Sequence, residues 1–164
     1  MRLTIQNLSM LHPKLFGDPT DRSRFGALAF QRAGHVSPTQ IEINHNKLQA
    51  KAEIEWMTQQ MNVLEVVARD RVTEYGAEAV ALAYVHAKAG WVVKRICRRG
   101  ESADWLMQSG RAWLALEISG TASGDAFSRL AEKMKQVAQC SLPTNEQLAI
   151  VVAFDRPLIL AANP

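Results

Sequence analysis

The stretch Ala103-Asp104-Trp105-Leu106-Met107-Gln108-Ser109-Gly110-Arg111-Ala112-Trp113-Leu114-Ala115-Leu116-Glu117-Ile118-Ser119 decides the fold. Aromatic and aliphatic residues crowd both of its arms, and Ser109-Gly110 lies between them. That pattern predicts two strands, 103–107 and 111–119, joined by a two-residue hairpin turn. A strand at 91–97 precedes them across the turn Arg99-Gly100-Glu101-Ser102, so three strands follow one another by hairpins. On the far side, Gly120-Thr121-Ala122-Ser123-Gly124 reads as a connector and Asp125 as the N-cap of a helix over 126–139. The stripe Phe127, Leu130, Met134 and Val137 would be its buried face. The run 148–154 is almost wholly apolar, as a strand buried on both faces should be. Because a helix separates it from 111–119, it can return parallel to that strand. Residues 158–162 form a last strand.

Upstream, 57–89 is free of proline and rich in helix formers. Met57, Met61, Leu64 and Ala68 recur at helical spacing, which predicts a buried stripe. Thr73 is a plausible N-cap of a second helix, and Gly90 its terminating C′ residue. Residues 25–56 show a short apolar run, Phe25-Gly26-Ala27-Leu28-Ala29-Phe30, and two alternating runs, Gln40-Ile41-Glu42-Ile43-Asn44 and Ala52-Glu53-Ile54-Glu55-Trp56. They predict a small antiparallel meander. Residues 1–24 have no period and read as a surface arm. The expectation is an α/β protein with a mixed sheet: an arm and β meander (1–56) packed on an αβββαβ core (57–164), as one globular unit.

Composition agrees with this and excludes other classes. Among 164 residues, 48% are hydrophobic and 21% charged, which is ordinary for a globular chain. No apolar run reaches the ~18 residues that a membrane span needs, so no membrane partner is expected. Cys97 and Cys140 are the only cysteines and form no CxxC pair, so they read as buried free thiols. With no signal-peptide pattern at the start, they point to a reducing cytoplasm. His12, His35, His45 and His86 match no zinc-site spacing. The +3 net charge is concentrated at 91–140, where eight Lys/Arg face five Asp/Glu.

Three acidic residues fall where this topology gathers them. Glu117 lies between Leu116 and Ile118, and a carboxylate in such surroundings is costly unless paired or metal-bound. With Ser109-Gly110 as the turn, Asp104 lies opposite Ala115 and is the diagonal neighbour of Glu117, roughly 7–8 Å away between Cα atoms. Two carboxylates so placed can reach one hard divalent cation. Each has a structural alternative. Asp104 can cap a turn or pair with Arg95 or Arg111. Glu117 can pair with Arg111 or Lys133, while Glu78 and Lys133 can simply be solvated.

The helix segment Thr73-Glu74-Tyr75-Gly76-Ala77-Glu78, the strand segment Ser102-Ala103-Asp104-Trp105-Leu106, the strand segment Leu116-Glu117-Ile118-Ser119 and the helix that follows resemble the PD-(D/E)XK nuclease superfamily, the restriction-endonuclease-like fold. The resemblance spans roughly 73–155. It implies that Asp104 and Glu117 bind Mg²⁺ or Mn²⁺, with a helical Glu assisting, Glu78 ahead of Glu74. It also implies cleavage of nucleic-acid phosphodiesters, DNA ahead of RNA. The family's lysine two residues past the acidic strand residue is replaced by Ser119, which carries no charge to stabilise a developing oxyanion. Lys133, three residues after Leu130, is the candidate to reach in from the helix, with Gln136 and Ser119 positioning water. Arg95, Arg98, Arg99 and Arg129 are candidate phosphate contacts. The alternative is a catalytically inactive nuclease-like scaffold that binds nucleic acid or assembles with proteins, including a homodimer through the edge of the meander.

Overall fold

The computed structural model describes residues 1–15 and 19–164. Its elements in chain order are β1 (Arg2–Thr4), α1 (Leu8–Leu11), α2 (Pro19–Arg32), β2 (Thr39–His45), β3 (Leu48–Glu55), α3 (Arg69–Ala89), β4 (Val92–Ile96), β5 (Trp105–Ser109), β6 (Ala112–Thr121), α4 (Ala126–Val137), β7 (Glu146–Ala153) and β8 (Leu158–Ala162). A 3₁₀ turn, Met61–Glu65, leads into α3. All eight strands join one mixed sheet in the order β1-β3-β2-β8-β7-β6-β5-β4. β4 and β5, and β5 and β6, pair antiparallel, and β7 returns parallel to β6 after α4.

The sheet has helices on both faces, as alternation along β6 and β7 requires. Leu114, Leu116, Ile150 and Val152 point to the main core under α3. Ala115, Ala149 and Val151 point the other way, to α4. A strand with both faces covered carries apolar residues without interruption, and β7 has no exposed residue from Leu148 to Ala153. α2 packs along α3. Asp125 caps α4 by accepting from the backbone N–H groups of Phe127 and Ser128. Gly90 ends α3 in the left-handed conformation, at φ +66°.

Several expectations need correction. Residues 1–24 are not an unstructured arm. β1 extends the sheet beside β3, and Leu3, Ile5 and Leu8 are buried. Elements of three and four residues are too short to show a period. In this stretch, 16–18 lie outside the described residues. The run 25–30 belongs to α2, not to a meander; a short apolar run does not distinguish a helix from a strand. Only 39–45 and 48–55 form the expected hairpin. β2 also pairs with β8, so this region continues the sheet. The stripe over 57–68 is not buried as a whole: Met57 is 66% exposed and Met61 41%, Ala68 is exposed, and Leu64 alone of the four packs on the core. The helix begins at Arg69, which leaves Thr73 inside it, donating to the Arg69 carbonyl at 3.1 Å. Phe127 is 53% exposed, so the buried side of α4 is carried by Leu130, Met134 and Val137. Cys97 and Cys140 are half-buried.

The decisive correction concerns the hairpin. Ser109 pairs with Ala112, so Gly110-Arg111 form the turn. Gly110 takes φ +56°, while Arg111 is not among the residues at positive φ. That is the II′ arrangement, with glycine first. The register moves accordingly, and Trp105 pairs with Leu116. Asp104, just past the ladder, is therefore carried to the Leu116–Ile118 stretch of β6 and no longer lies opposite Ala115.

α3 crosses β6 at very close range. A Cβ on Gly120 would stand 2.5 Å from the Thr73 carbonyl oxygen and 2.9 Å from Ala77 Cβ. Backbone cannot yield as a flexible side chain does. Gly120→Ala is expected to destabilise the fold by about 1–3 kcal/mol, read as a lower urea midpoint at unchanged slope.

Candidate active site

The site forms where β5 stops pairing with β6. The last ladder pair is Trp105 with Leu116, while β6 runs on to Thr121 paired only with β7, on its other edge. Asp104 closes the ladder with its own groups: its N–H donates to the Leu116 carbonyl at 3.0 Å, and its Oδ2 accepts the Ile118 N–H at 2.7 Å. The carboxylate thereby replaces a strand at the edge of β6. Neither Arg95 nor Arg111 pairs with it.

Glu117 is fully buried. Lys133, from the second turn of α4, donates to its Oε1 at 2.6 Å and to Gln136 Oε1 at 3.1 Å. Residues three apart on a helix share a face, which is how Lys133 and Gln136 arrive together. Glu117 Oε2 is buried and has no hydrogen-bond partner. Burial, and then the Asp104 charge, push the Glu117 carboxyl above its ordinary range, while Lys133 pulls it back. Asp104 is raised chiefly by burial, against the Ile118 N–H and Lys133, which lower it. Carboxylates perturbed by burial and by a neighbouring charge are concentrated at functional sites.

The other nominated residues divide. Glu78 does lie at the site, but its Oε2 is bound by Arg22 Nε at 2.5 Å. Burial raises its pKa first, and Arg22 lowers it. Glu74, one turn earlier on α3, is exposed and lines a separate cavity of about 430 Å³ with Asp70, Thr73, Gly120 and Arg129. Ser119 Oγ accepts from Arg129 Nη1 at 3.1 Å, so those two residues face that cavity's side of the sheet. Arg98 and Arg99 rim the main cleft, of about 480 Å³, whose wall includes Tyr75, Glu78, Asp104, Trp105 and Gln136. Arg95 does not line it; its guanidinium is held by both oxygens of Glu101, at 2.7 and 2.9 Å. Arg22 is the residue that sequence reasoning missed. It stands in a helix with no local motif, 56 residues from its partner Glu78.

The donor chemistry fits a hard divalent cation. Glu117 offers an unpartnered oxygen, and Asp104 supplies a second carboxylate on the neighbouring Ile118 N–H. Mg²⁺ is usually held by one or two carboxylates and keeps several waters. Glu78 is committed to Arg22, and among the described residues no three His, Cys, Asp or Glu side chains form a metal-holding group. The arrangement is thus a two-carboxylate one.

Comparison of the chain with protein-family models, with curated proteins and with solved structures returns no match.

The raised Asp104 carboxyl carries a stability consequence. A carboxyl whose pKa is raised by folding favours the fold below its ordinary pKa and loses that contribution as pH rises through the folded value. Asp104→Asn keeps an acceptor for the Ile118 N–H and removes the buried charge. It is expected to raise the melting temperature by a few degrees at pH 7–8. The gain should vanish as pH falls below about 4, in thermal melts run across that range.

Proposed function

We propose that this chain is a divalent-metal-dependent nuclease, hydrolysing nucleic-acid phosphodiesters on a core of the restriction-endonuclease-like kind. The succession α3-β4-β5-β6-α4-β7, with β7 parallel to β6, is compatible with that core. One observation carries the reading: Lys133 Nζ lies 2.6 Å from the buried Glu117, whose neighbour Ile118 donates its N–H to Asp104. A lysine from α4 thus stands beside the acidic residues where position 119 has only a serine.

Asp104 and Glu117 would hold the cation, which when bound supplies Lewis-acid stabilisation and an acidified water. Lys133 places a fixed positive charge beside the reacting phosphate. In a water-poor site that charge is worth more than it is in solvent. Gln136 holds the ammonium from its second side and lines the cleft, where its amide can orient water. Arg98 and Arg99 face incoming backbone phosphates from the rim, a role without sequence preference and weakened by salt. DNA stands ahead of RNA as the substrate, and the cytoplasm is the proposed compartment.

Calorimetry with Mn²⁺ and Mg²⁺ tests the metal site. Wild type is expected to bind, and Glu117→Ala and Glu117→Gln to lose binding together with metal-dependent cleavage of DNA. Lys133→Met should retain the cation and lose about 10²–10³-fold in cleavage rate, the usual loss for a removed oxyanion stabiliser. Wild type that neither binds Mn²⁺ nor cleaves DNA or RNA in excess Mg²⁺ overturns the proposal.

A further inference from the structure

Arg22 is an unusual arginine. Its side chain is only 9% exposed, and Nε is committed to Glu78 at 2.5 Å. The guanidinium carbon lies 5.0 Å from the centre of the Tyr75 ring and 5.4 Å from that of Trp105. Two aromatic rings and one carboxylate therefore fix the plane of the fork. The Nε bond to Glu78 is its one hydrogen bond among the described residues. Its terminal amino groups are not among the sealed, unpartnered atoms, and the residue lines the 480 Å³ cleft together with Asp104. A guanidinium held in this way has already lost the freedom that a surface arginine must lose on binding. Two parallel N–H donors match two oxygens of one oxyanion.

We propose that Arg22 is the anion receptor of the cleft: its two terminal amino groups take a phosphoryl group of the substrate while Nε stays on Glu78. The choice of phosphate among oxyanions rests on the nuclease reading; the receptor geometry does not. Glu78 then has a role other than cation binding, as the carboxylate that orients the fork. The charges around the cleft set how strongly an anion binds. Three arginines (22, 98 and 99) line it against two carboxylates, Glu78 and Asp104. Asp104 therefore opposes an anion when no cation lies between them, and removing its charge strengthens anion binding. Arg22 acts here as a binding residue, and its loss is felt without any catalytic step.

The test titrates inorganic phosphate into metal-free protein, followed by calorimetry and by tryptophan fluorescence, since Trp105 borders the guanidinium. Asp104→Asn is expected to bind phosphate several-fold more tightly than wild type. Arg22→Met should weaken binding about tenfold or more, the size expected for lost hydrogen bonds to a charged group. Arg22→Lys, which keeps the charge and the stem but not the fork, should also weaken it. Should Arg22→Met fail to melt cooperatively, Arg22→Lys in the Asp104→Asn background decides. Phosphate binding unchanged by Arg22→Lys, or no saturable binding by Asp104→Asn, overturns the proposal. Mn²⁺ titrations of wild type and Arg22→Lys separate the two failures. Mn²⁺ binding without phosphate binding removes the receptor and leaves the metal site. Phosphate binding that depends on Arg22, in a wild type that neither binds Mn²⁺ nor cleaves DNA or RNA in excess Mg²⁺, keeps the receptor and removes the nuclease reading.

Discussion

A carboxylate sealed inside a sheet must be matched by a positive charge or give up its own, and Glu117 places that demand at the centre of this molecule. It stands on β6, the longest strand, with apolar residues on either side in sequence and α4 over its face. An isolated ion at such a position costs several kcal/mol after all relaxation. The Lys133 ammonium meets one of its oxygens, which ties the placement of α4 on the sheet to an electrostatic requirement as well as to the packing of Leu130, Met134 and Val137. The second oxygen is left without a partner. A structure maximising stability alone would place a leucine here. The half-satisfied carboxyl, raised in pKa, has the kind of environment in which functional groups are concentrated.

The surroundings of Glu117 follow from where strand pairing stops. β5 ends at Trp105, so the next groups along β6 have no backbone partner on that side, and Asp104 supplies one with its side chain. One residue thereby ends a ladder and brings its charge near enough to Glu117 to raise the pKa of that carboxyl. The cleft opens beyond that point. Helices from the two faces of the sheet reach it: α4 brings Gln136, which Lys133 bonds from behind, while α3 and its neighbour α2 bring Glu78, Tyr75 and Arg22. The two ion pairs, Lys133–Glu117 and Arg22–Glu78, differ in kind. The first joins a helix to a strand, and the second locks two helices. Both are more buried than the ordinary surface pair, such as Arg95–Glu101, which contributes little.

Much of the frame was legible in the chain. The apolar runs of β6 and β7, Gly90 after a long helical pattern and Asp125 before another each carry a local physical signal, and each stands in the structure where the pattern put it. The approach of Lys133 to Glu117 was legible too, because the spacing along α4 keeps position 133 beside the buried stripe. Other parts were hidden for identifiable reasons. Ser109-Gly110 and Gly110-Arg111 are both acceptable two-residue turns, and the choice between them shifts every cross-strand pair. The six residues from Phe25 to Phe30 are apolar in a helix for the same reason that they would be in a strand, since both bury them. Residues 57–68 have helix-forming composition, yet little of that segment is covered by other elements. Propensity without burial seldom holds a helix.

By itself the sequence determined the class of the fold, the αβββαβ succession and the acidic residues on it, because those rest on periodicity, caps and the cost of a carboxylate among apolar neighbours. All of these are local, written within a few residues of one another. Tertiary structure alone decided which partners those carboxylates have. It moved Asp104 along β6 to the Leu116 carbonyl and the Ile118 N–H through a one-residue turn choice, and gave Glu78 to Arg22 across 56 positions of chain. It also sent Arg95 away from the cleft to Glu101 while leaving Arg98 and Arg99 at its rim. Charge pairing acts through space at distances of a few ångströms, and chain separation carries almost no information about it until the helices are docked on the sheet.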